Sequence, residues 1–288
     1  MKGCARAPGA GTILNALANG YGSAFAIDIY TTAEVVLQDV EKVTGEIEGA
    51  PNADTALIEK CVEIVVDRFG NGEGGSVLTR SEIPIASGLK SSSAAANATV
   101  LASLSALSVG VGENEEITML DAALIGVQAA REVGVTITGA FDDSSASMVG
   151  GLTLTNNNKD ELLKHEESIE WDVLVWTPEQ KAYSAEADVD RCSFVSGVAD
   201  IIVEMVKDGR YLEAMTVNGL AFCAALEYSV DPILEALPTV DGVSLSGTGP
   251  SMTAVGSKEV LKELENVWEI RGGNVIHTKT QMGGASII

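Results

Sequence analysis

Residues that commonly serve as metal ligands and nucleophile partners are scarce in this sequence. Its 288 residues include only four cysteines and two histidines. The cysteines form no C-x-x-C pair and have no histidine at ligand spacing, so neither a structural zinc site nor a disulfide framework is expected. His165 and His277 lie in no nucleophile motif, which makes a Ser-His-Asp hydrolase a poor interpretation.

Basic residues are also few. The chain has 18 Lys and Arg against 41 Asp and Glu, a net charge of −23. This balance gives no basic footprint for nucleic acid, so we expect no nucleic-acid partner. Such charge suits solubility, for example in a salty cytoplasm. A polyphosphate ligand would therefore need local positive groups, namely a bound Mg²⁺, a helix N-terminus and single side chains such as Lys90.

Long hydrophobic runs are missing too. No segment approaches the roughly 18 uninterrupted apolar residues of a membrane helix, and the first residues have no apolar core of the secretory type. We therefore expect no membrane association and a cytoplasmic location. The chain is nevertheless 46% hydrophobic with a mean hydropathy of +0.20, which is typical of a folded protein with a full core.

The order of apolar patterns indicates an α+β protein with two lobes. Helical periods occur at residues 54–69 and 113–133. The segment 156–167 is polar, and we place the lobe boundary near it. The prediction is an N-terminal lobe of residues 1–156 and a C-terminal lobe of residues 157–288.

The most informative segment is a loop of Gly and Ser that opens onto an Ala-rich helical pattern. It covers residues 84–97 and reads PIASGLKSSSAAAN. The first amides of a helix have no partner within it, and the helix dipole favours negative charge there, so this arrangement suits a phosphate. The chain contains no G-x-x-x-x-G-K-[ST], so the loop is not a Walker A loop. The alternative is a buried helix capped by serine.

Two further segments are rich in small residues and could take part in binding or catalysis. Residues 244–255 are Gly-rich between two short apolar runs, which indicates either a hairpin turn or a backbone that approaches a ligand. Residues 139–151 contain Asp142 and Asp143 followed by small residues. This pattern is typical of a short capped helix, but it also suits a base that faces an alcohol, or oxygen ligands for Mg²⁺.

Together with residues 6–15, the segments 84–94 and 246–254 resemble the three motifs of the GHMP small-molecule kinases, which include homoserine, mevalonate and galactose kinases. Within that superfamily the chain is most similar to the archaeal-type shikimate kinases, on residues 11–22, 139–147 and 278–280. The resemblance implies a two-lobe α+β fold with the active site in the cleft between the lobes. It also implies phosphorylation of an alcohol by ATP and Mg²⁺, most specifically of shikimate to shikimate 3-phosphate in aromatic amino-acid biosynthesis.

Two alternatives to shikimate phosphorylation stay open. One is another GHMP kinase, with homoserine, pantoate or a mevalonate-type acceptor. The other is a non-catalytic paralogue that binds nucleotide without producing ADP.

The resemblance also implies roles for single residues. In mevalonate-kinase-like members a catalytic Asp precedes a Gly-Gly pair at a set spacing, and this spacing points to Asp143 as the base, with Asp142 as a neighbour that helps hold the substrate. The Mg²⁺ ligands implied in the same way are Glu132, eleven residues before that Asp, and Ser92. The residues implied to bind the nucleotide are Pro84, Ile85, Ala86, Ser87, Gly88, Leu89, Lys90, Ser91, Ser92, Ser93, Gly247, Thr248 and Gly249.

The chain departs from the family pattern at two positions. Mevalonate kinases carry a lysine directly after the first-motif Pro-Gly, where this chain has Ala10, and this disfavours mevalonate as the acceptor. Lys90 stands where many members have a small residue, and it either points at the phosphates or is a solvated surface residue.

Shikimate is itself an anion, and an arginine fork suits its carboxylate best. The candidates for that contact are Arg6, Arg131, Arg191, Arg271 and Lys279.

Overall fold

Two β-sheets with helices packed around them organise the chain. The computed structural model describes residues 1–84, 88–136, 139–179 and 188–288. In these ranges the strands are β1 (Lys2–Leu14), β2 (Tyr21–Gln38), β3 (Val43–Ile47), β4 (Gly74–Ser81), β5 (Leu152–Asn156), β6 (Glu161–Glu166), β7 (Asp172–Thr177), β8 (Gly242–Leu245), β9 (Met252–Val255), β10 (Asn274–Lys279) and β11 (Ser286–Ile287). The helices are α1 (Ala56–Phe69), α2 (Ser91–Ala106), α3 (Met119–Val133), α4 (Phe141–Val149), α5 (Val189–Ser193), α6 (Ser196–Lys207), α7 (Tyr211–Ala225), α8 (Asp231–Ala236) and α9 (Lys258–Glu269).

The first sheet is built on the long strand β2. It pairs antiparallel with β1, while residues 21–25 also pair with β5 and residues 31–38 with β4. From Ile29 to Leu37 every second residue is buried, the period of a strand with one face on the core. The order β11-β1-β2-β4-β3 continues this sheet, and β6 extends it beyond β5.

Helix α2 lies at the centre of the N-terminal part and packs against β1, β2, α1, α3 and α4. Small residues make this possible, since most of its positions from Ser93 onward are buried rather than only one stripe. The approach to β1 is close: a Cβ on Gly3 would lie 2.0 Å from the carbonyl oxygen of Ala102. The position of α2, and thus of the loop that precedes it, is therefore set by direct contact with the sheet.

The second sheet has the antiparallel order β10-β7-β9-β8. Strands β8 and β9 form a hairpin, so the Gly-rich segment between them is a tight turn, as one of the two interpretations predicts. The largest core contains side chains of both sheets, for example Leu14 and Val173. The ring of Trp171 meets that of Phe25 edge-on at 5.5 Å between centroids. This shared core joins the two sheets.

The predicted α+β class is confirmed, and the differences concern boundaries. The helix expected at 113–133 begins only at Met119, because Thr118 and Asp121 form a capping box there. The polar stretch 156–167 contains β6, which pairs with β5, and β11 returns to pair with β1. The first sheet thus takes up residues on both sides of position 156, and the lobe division at that residue remains a prediction. No helix in the described part of the chain is long and apolar enough to cross a membrane.

Candidate active site

The three Gly-rich motifs meet in space. The first contacts the third at the end of β1: the Gly247 amide donates to the Thr12 hydroxyl at 2.8 Å, and the Asn15 side-chain amide donates to the Gly247 carbonyl at 2.8 Å. The third contacts the second, since the Ser246 hydroxyl donates to the Gly88 carbonyl at 2.9 Å. The second motif in turn accepts at the Leu89 carbonyl from the Ala10 amide, at 3.3 Å. One region therefore contains all three segments.

Glycine is required where the second and third motifs touch. Gly88 has φ 82°, and a Cβ built on it would lie 2.2 Å from the Ser246 carbonyl oxygen and 2.9 Å from that of Gly249. Both contacts are backbone atoms that cannot rotate away. The hairpin turn and the loop that precedes α2 can approach this closely only because the side chain is absent. The hairpin interpretation of residues 244–255 is thus confirmed, and the approach of this backbone to a ligand stays a prediction.

Helix α2 begins at this junction. Lys90 is its N-cap residue, with left-handed backbone angles of φ 65° and ψ 31°, and in the described residues no side chain caps this helix end. The amides of Ser91, Ser92 and Ser93 belong to the first turn, where a helix supplies no internal acceptors. The Ser92 side chain is exposed, Ser91 is half-buried and Ser93 is buried. The helix end therefore presents N–H donors and one exposed hydroxyl.

A buried ion pair joins α2 to α4. The Lys90 Nζ lies 2.7 Å from Asp143 Oδ1, and the two side chains are only 8% and 15% exposed. Asp143 stands in the first turn of α4, after the left-handed N-cap Ala140. Among the described ion pairs this one is the most buried. Lys90 is therefore neither solvated nor at the surface.

Burial shifts the acidity of Asp143. Desolvation raises its pKa to about 7, the neighbouring Asp142 carboxylate adds to the rise, and the Lys90 ammonium opposes it. A carboxyl group with a pKa near neutrality is well matched to accept a proton at physiological pH.

Asp142 has a different environment from its neighbour. Its side chain is buried, and Oδ1 accepts from the Asn157 side-chain amide at 2.7 Å, while the Asn157 oxygen accepts from the Asp142 backbone amide at 3.1 Å. A Cβ on Gly22 would lie 2.4 Å from Asp142 Oδ2. Asp142 thus fixes the start of α4 against β2 and the residues after β5, and Asp143 points to Lys90.

The structure does not bring Glu132 into this group. Its carboxylate accepts from the Gln128 side chain at 2.7 Å and lies 3.9 Å from the Lys60 Nζ of α1. The side chain is 45% exposed. Its recorded partners lie on α1 and α3 and not at the loop or at Asp143, and its role as a metal ligand stays a prediction.

The other residues expected at the nucleotide lie in or near the junction. Leu89 is fully buried in the core, so only its backbone faces the loop. Gly247 and Gly249 are buried in the β8–β9 turn, with Thr248 half-buried between them. Pro84 is half-buried at the start of the loop. Ile85, Ala86 and Ser87 lie outside the described residues.

Most of the basic residues that could bind the carboxylate of the acceptor form ion pairs with Asp or Glu side chains. Arg131 makes a two-point contact with Asp160, and Arg271 makes one with Glu235. Further pairs join Arg191 to Glu227 at 3.0 Å and, more loosely, Lys279 to Asp28 at 3.8 Å. Arg6 stacks over the ring of Tyr30 at 4.6 Å and reaches Ser286. Each of the five candidates for the acceptor carboxylate thus has a contact of its own in the structure.

Buried asparagines are the site residues that sequence reasoning missed. Asn218 of α7 accepts from the Asn15 amide and donates to Ser244, both at 2.9 Å. Asn97 of α2 donates to the Ser144 carbonyl and accepts from its hydroxyl, both at 2.9 Å. Buried amides need partners, but nothing local in the sequence indicates which ones. These two residues hold the first motif to α7 and α2 to α4.

Comparison with known proteins identifies the family of this chain. Residues 56–151 match the model of the GHMP kinases N terminal domain. The shikimate kinase of Halobacterium salinarum is 56% identical over 286 residues, with 99% of each chain covered. That of Methanothrix thermoacetophila is 50% identical, with 98% of this chain and 94% of the relative covered. The Methanococcus jannaschii mevalonate kinase structure superposes with a TM-score of 0.77 at 15% identity, covering 96% of this chain and 98% of that one, which is a likeness of fold. The chain therefore belongs to the family of these shikimate kinases, within the GHMP kinases.

Proposed function

We propose that this chain transfers the γ-phosphoryl group of ATP to a hydroxyl group of shikimate, which yields shikimate 3-phosphate and ADP. The observation that carries the proposal is the buried Lys90–Asp143 pair at the junction of the three motifs. Full-length relatives that carry the name shikimate kinase support the choice of acceptor. A cytoplasmic location, where ATP is available, goes with this function.

The geometry supports a separate role in phosphoryl transfer for the loop amides, for Asp143 and for Asp142. Phosphoryl transfer needs positioning and charge neutralisation more than covalent help from the protein. The amides of residues 88–93 would cradle the phosphates at the helix N-terminus. The acceptor oxygen attacks the γ-phosphorus, the bond from that phosphorus to the β-bridging oxygen breaks, and its electron pair leaves with ADP. Asp143 takes the proton of the attacking hydroxyl, and Asp142 keeps α4 in place.

Mg²⁺ would accompany the nucleotide. In proteins this ion is commonly held by one or two side-chain oxygens together with substrate phosphates and water. The exposed Ser92 hydroxyl in the first turn of α2 fits that pattern. In the described ranges no cluster of three or more His, Cys, Asp or Glu side chains is arranged to hold a metal. The protein would thus supply few ligands, and the bound ion would neutralise phosphate charge.

We expect Ser92→Ala to raise the Mg²⁺ concentration needed for half-maximal activity by about two- to tenfold, the effect of losing one polar contact. The sequence alone predicts the same for Glu132→Gln. Glu132 instead accepts a hydrogen bond from Gln128 and lies 3.9 Å from the Lys60 ammonium, so we expect an unchanged requirement in that variant. Mg²⁺ titrations at saturating ATP compare the two. A shift in Glu132→Gln with none in Ser92→Ala would reverse this assignment.

The raised pKa of Asp143 predicts an acidic limb in the pH profile. Below about pH 7 the carboxyl is protonated and cannot accept a proton, so kcat/KM should fall about tenfold per pH unit and level off above it. An aspartate with the ordinary pKa of about 3.9 would give a flat profile over this range. Steady-state kinetics between about pH 5.5 and about pH 8.5 measure the limb. A flat profile would contradict the role of Asp143.

An acceptor panel tests the proposed substrate. The purified chain is given Mg-ATP with shikimate, homoserine, mevalonate or pantoate, and ADP release is followed. We expect turnover with shikimate to exceed that with each of the other three. Faster turnover of another acceptor would overturn shikimate and leave the kinase assignment intact. Nucleotide binding without ADP release for any acceptor would instead indicate the non-catalytic alternative.

A further inference from the structure

The lysine that contacts Asp143 in this chain does not stand at the position that the mevalonate kinase pattern would predict. The mevalonate kinase pattern places a lysine directly after the first-motif Pro-Gly, and here that position is Ala10. Ala10 is fully buried and packs with Ala24 and Ala146 in a small cluster. Ala146 lies on α4, three residues after Asp143. Strand β1 therefore presents a methyl group to α4 at this position, and not an ammonium.

Lys90 reaches Asp143 from the end of the loop that precedes α2. The 2.7 Å contact between Nζ and Oδ1 is made from the N-cap of α2. A Cβ on Gly247 would lie only 2.8 Å from the same Nζ. The ammonium thus lies between the carboxylate of α4 and the turn of the third motif. Under the proposed function the acceptor hydroxyl comes to Asp143, so the transferred phosphoryl group comes close to this ammonium.

Lys90 also adopts left-handed backbone angles, with φ 65° and ψ 31°. Left-handed angles are unfavourable for an ordinary residue, whereas glycine adopts them readily. Such strain is found where a side chain has a task. A buried ammonium also loses much of its hydration, which is tolerated when it faces anions. Lys90 thus combines an unfavourable backbone conformation with the desolvation of its ammonium, in a chain that has only 18 Lys and Arg.

We propose that Lys90 is a catalytic residue that contacts Asp143 on one side and the γ-phosphoryl group of ATP on the other. This inference rests on the proposed kinase function but not on the identity of the acceptor. An ammonium carries three N–H donors, so it can bond a carboxylate and a phosphoryl oxygen at once. During transfer the Lys90 ammonium neutralises the charge that develops on the phosphoryl oxygens, while Asp143 takes the hydroxyl proton.

The groups that face Asp143 are few, which makes the effect of Lys90 separable. Helix α2, strand β5 and residues 281–285 carry no titratable side chain. The charged residues of α3 have partners elsewhere: Asp121 bonds Thr118, Arg131 bonds Asp160, and Glu132 lies near Lys60. Asp142 on α4 itself and Lys90 are the charges that act on Asp143. Strands β1 and β2, which also pack against α4, carry further titratable residues, but none of these is among the groups named above as acting on Asp143. They are Lys2, Cys4, Arg6, Tyr21, Asp28, Tyr30 and Glu34.

The test compares Lys90→Met, which keeps the length of the side chain, with Lys90→Arg, which keeps the charge. In Lys90→Met we expect kcat to fall about 10²–10³-fold, the usual cost of one lost charge-stabilising donor. Lys90→Arg should recover part of that loss. The acidic limb of the kcat/KM profile should move to higher pH in Lys90→Met, because the ammonium that favours ionised Asp143 is gone. Lys207→Met, which removes an exposed partner of Glu204, is the matched control and should behave as wild type.

A second measurement contains no acceptor and so stands apart from the choice of shikimate. Calorimetric affinities for ATP and ADP are compared, and Lys90→Met should weaken ATP binding more than ADP binding. Unchanged kcat and unchanged nucleotide preference in Lys90→Met would overturn the proposal. So would equal losses in Lys90→Met and Lys90→Arg with a lowered Tm, since these would mean a packing role. If Lys90→Met does not fold, Lys90→Gln replaces it in the same comparison.

Discussion

Asp143→Asn is expected to lower kcat about 10²–10⁴-fold, the usual effect of losing a general base. Asparagine has nearly the same shape, and its side-chain oxygen can still accept from the Lys90 ammonium that lies 2.7 Å from Asp143. It cannot take the proton of an attacking hydroxyl. We therefore expect the fold and the affinity for ATP to be kept. Coupled ADP-release kinetics, calorimetry with ATP and a thermal melt measure the three quantities.

Asp142→Asn is the matched control for that substitution. The residue is adjacent and also buried, but its Oδ1 is bonded to Asn157, and an amide oxygen can take that bond over. We expect kcat to stay much closer to wild type. The opposite ranking, with near-normal turnover in Asp143→Asn and a large loss in Asp142→Asn, would move the base to Asp142.

Gly88→Ala is expected to reduce turnover about 10²-fold, because a displacement of about 1 Å in a positioning element can cost that much. The new Cβ would lie 2.2 Å from the Ser246 carbonyl oxygen, so the loop that precedes α2 and the β8–β9 turn must separate. The hydrogen bond from Ser246 to the Gly88 carbonyl would then be lost or lengthened. Affinity for ATP should fall together with kcat.

Gly209→Ala separates the steric effect from backbone strain. Gly209 has φ 79°, close to the 82° of Gly88, but a Cβ there meets nothing within 4 Å. It should show only the conformational cost of alanine in the left-handed region, roughly 1–2 kcal/mol of stability, with normal turnover. Equal activity in the two variants would mean that the contact between the second and third motifs has no part in catalysis.

Local sequence determines much of this protein. The Gly and Ser loop before α2, the paired aspartates and the Gly-rich turn could all be recognised, because each depends on residues close together in the chain. Glycines permit backbone angles that other residues avoid, and runs of small residues permit a closely packed helix. The α+β class followed from apolar periods for the same reason. Helix α1, expected at 54–69, is found at Ala56–Phe69.

Only the tertiary structure decided which charged groups meet. Lys90 and Asp143 lie far apart in the chain, and they touch because α2 and α4 pack side by side, held by the bonds between Asn97 and Ser144. The same packing separates the environments of Asp142 and Asp143 and leaves Glu132 beside Lys60. A counted spacing locates a residue along the chain, but the partner of a buried charge depends on desolvation and on which other elements approach it, and these are properties of the folded molecule.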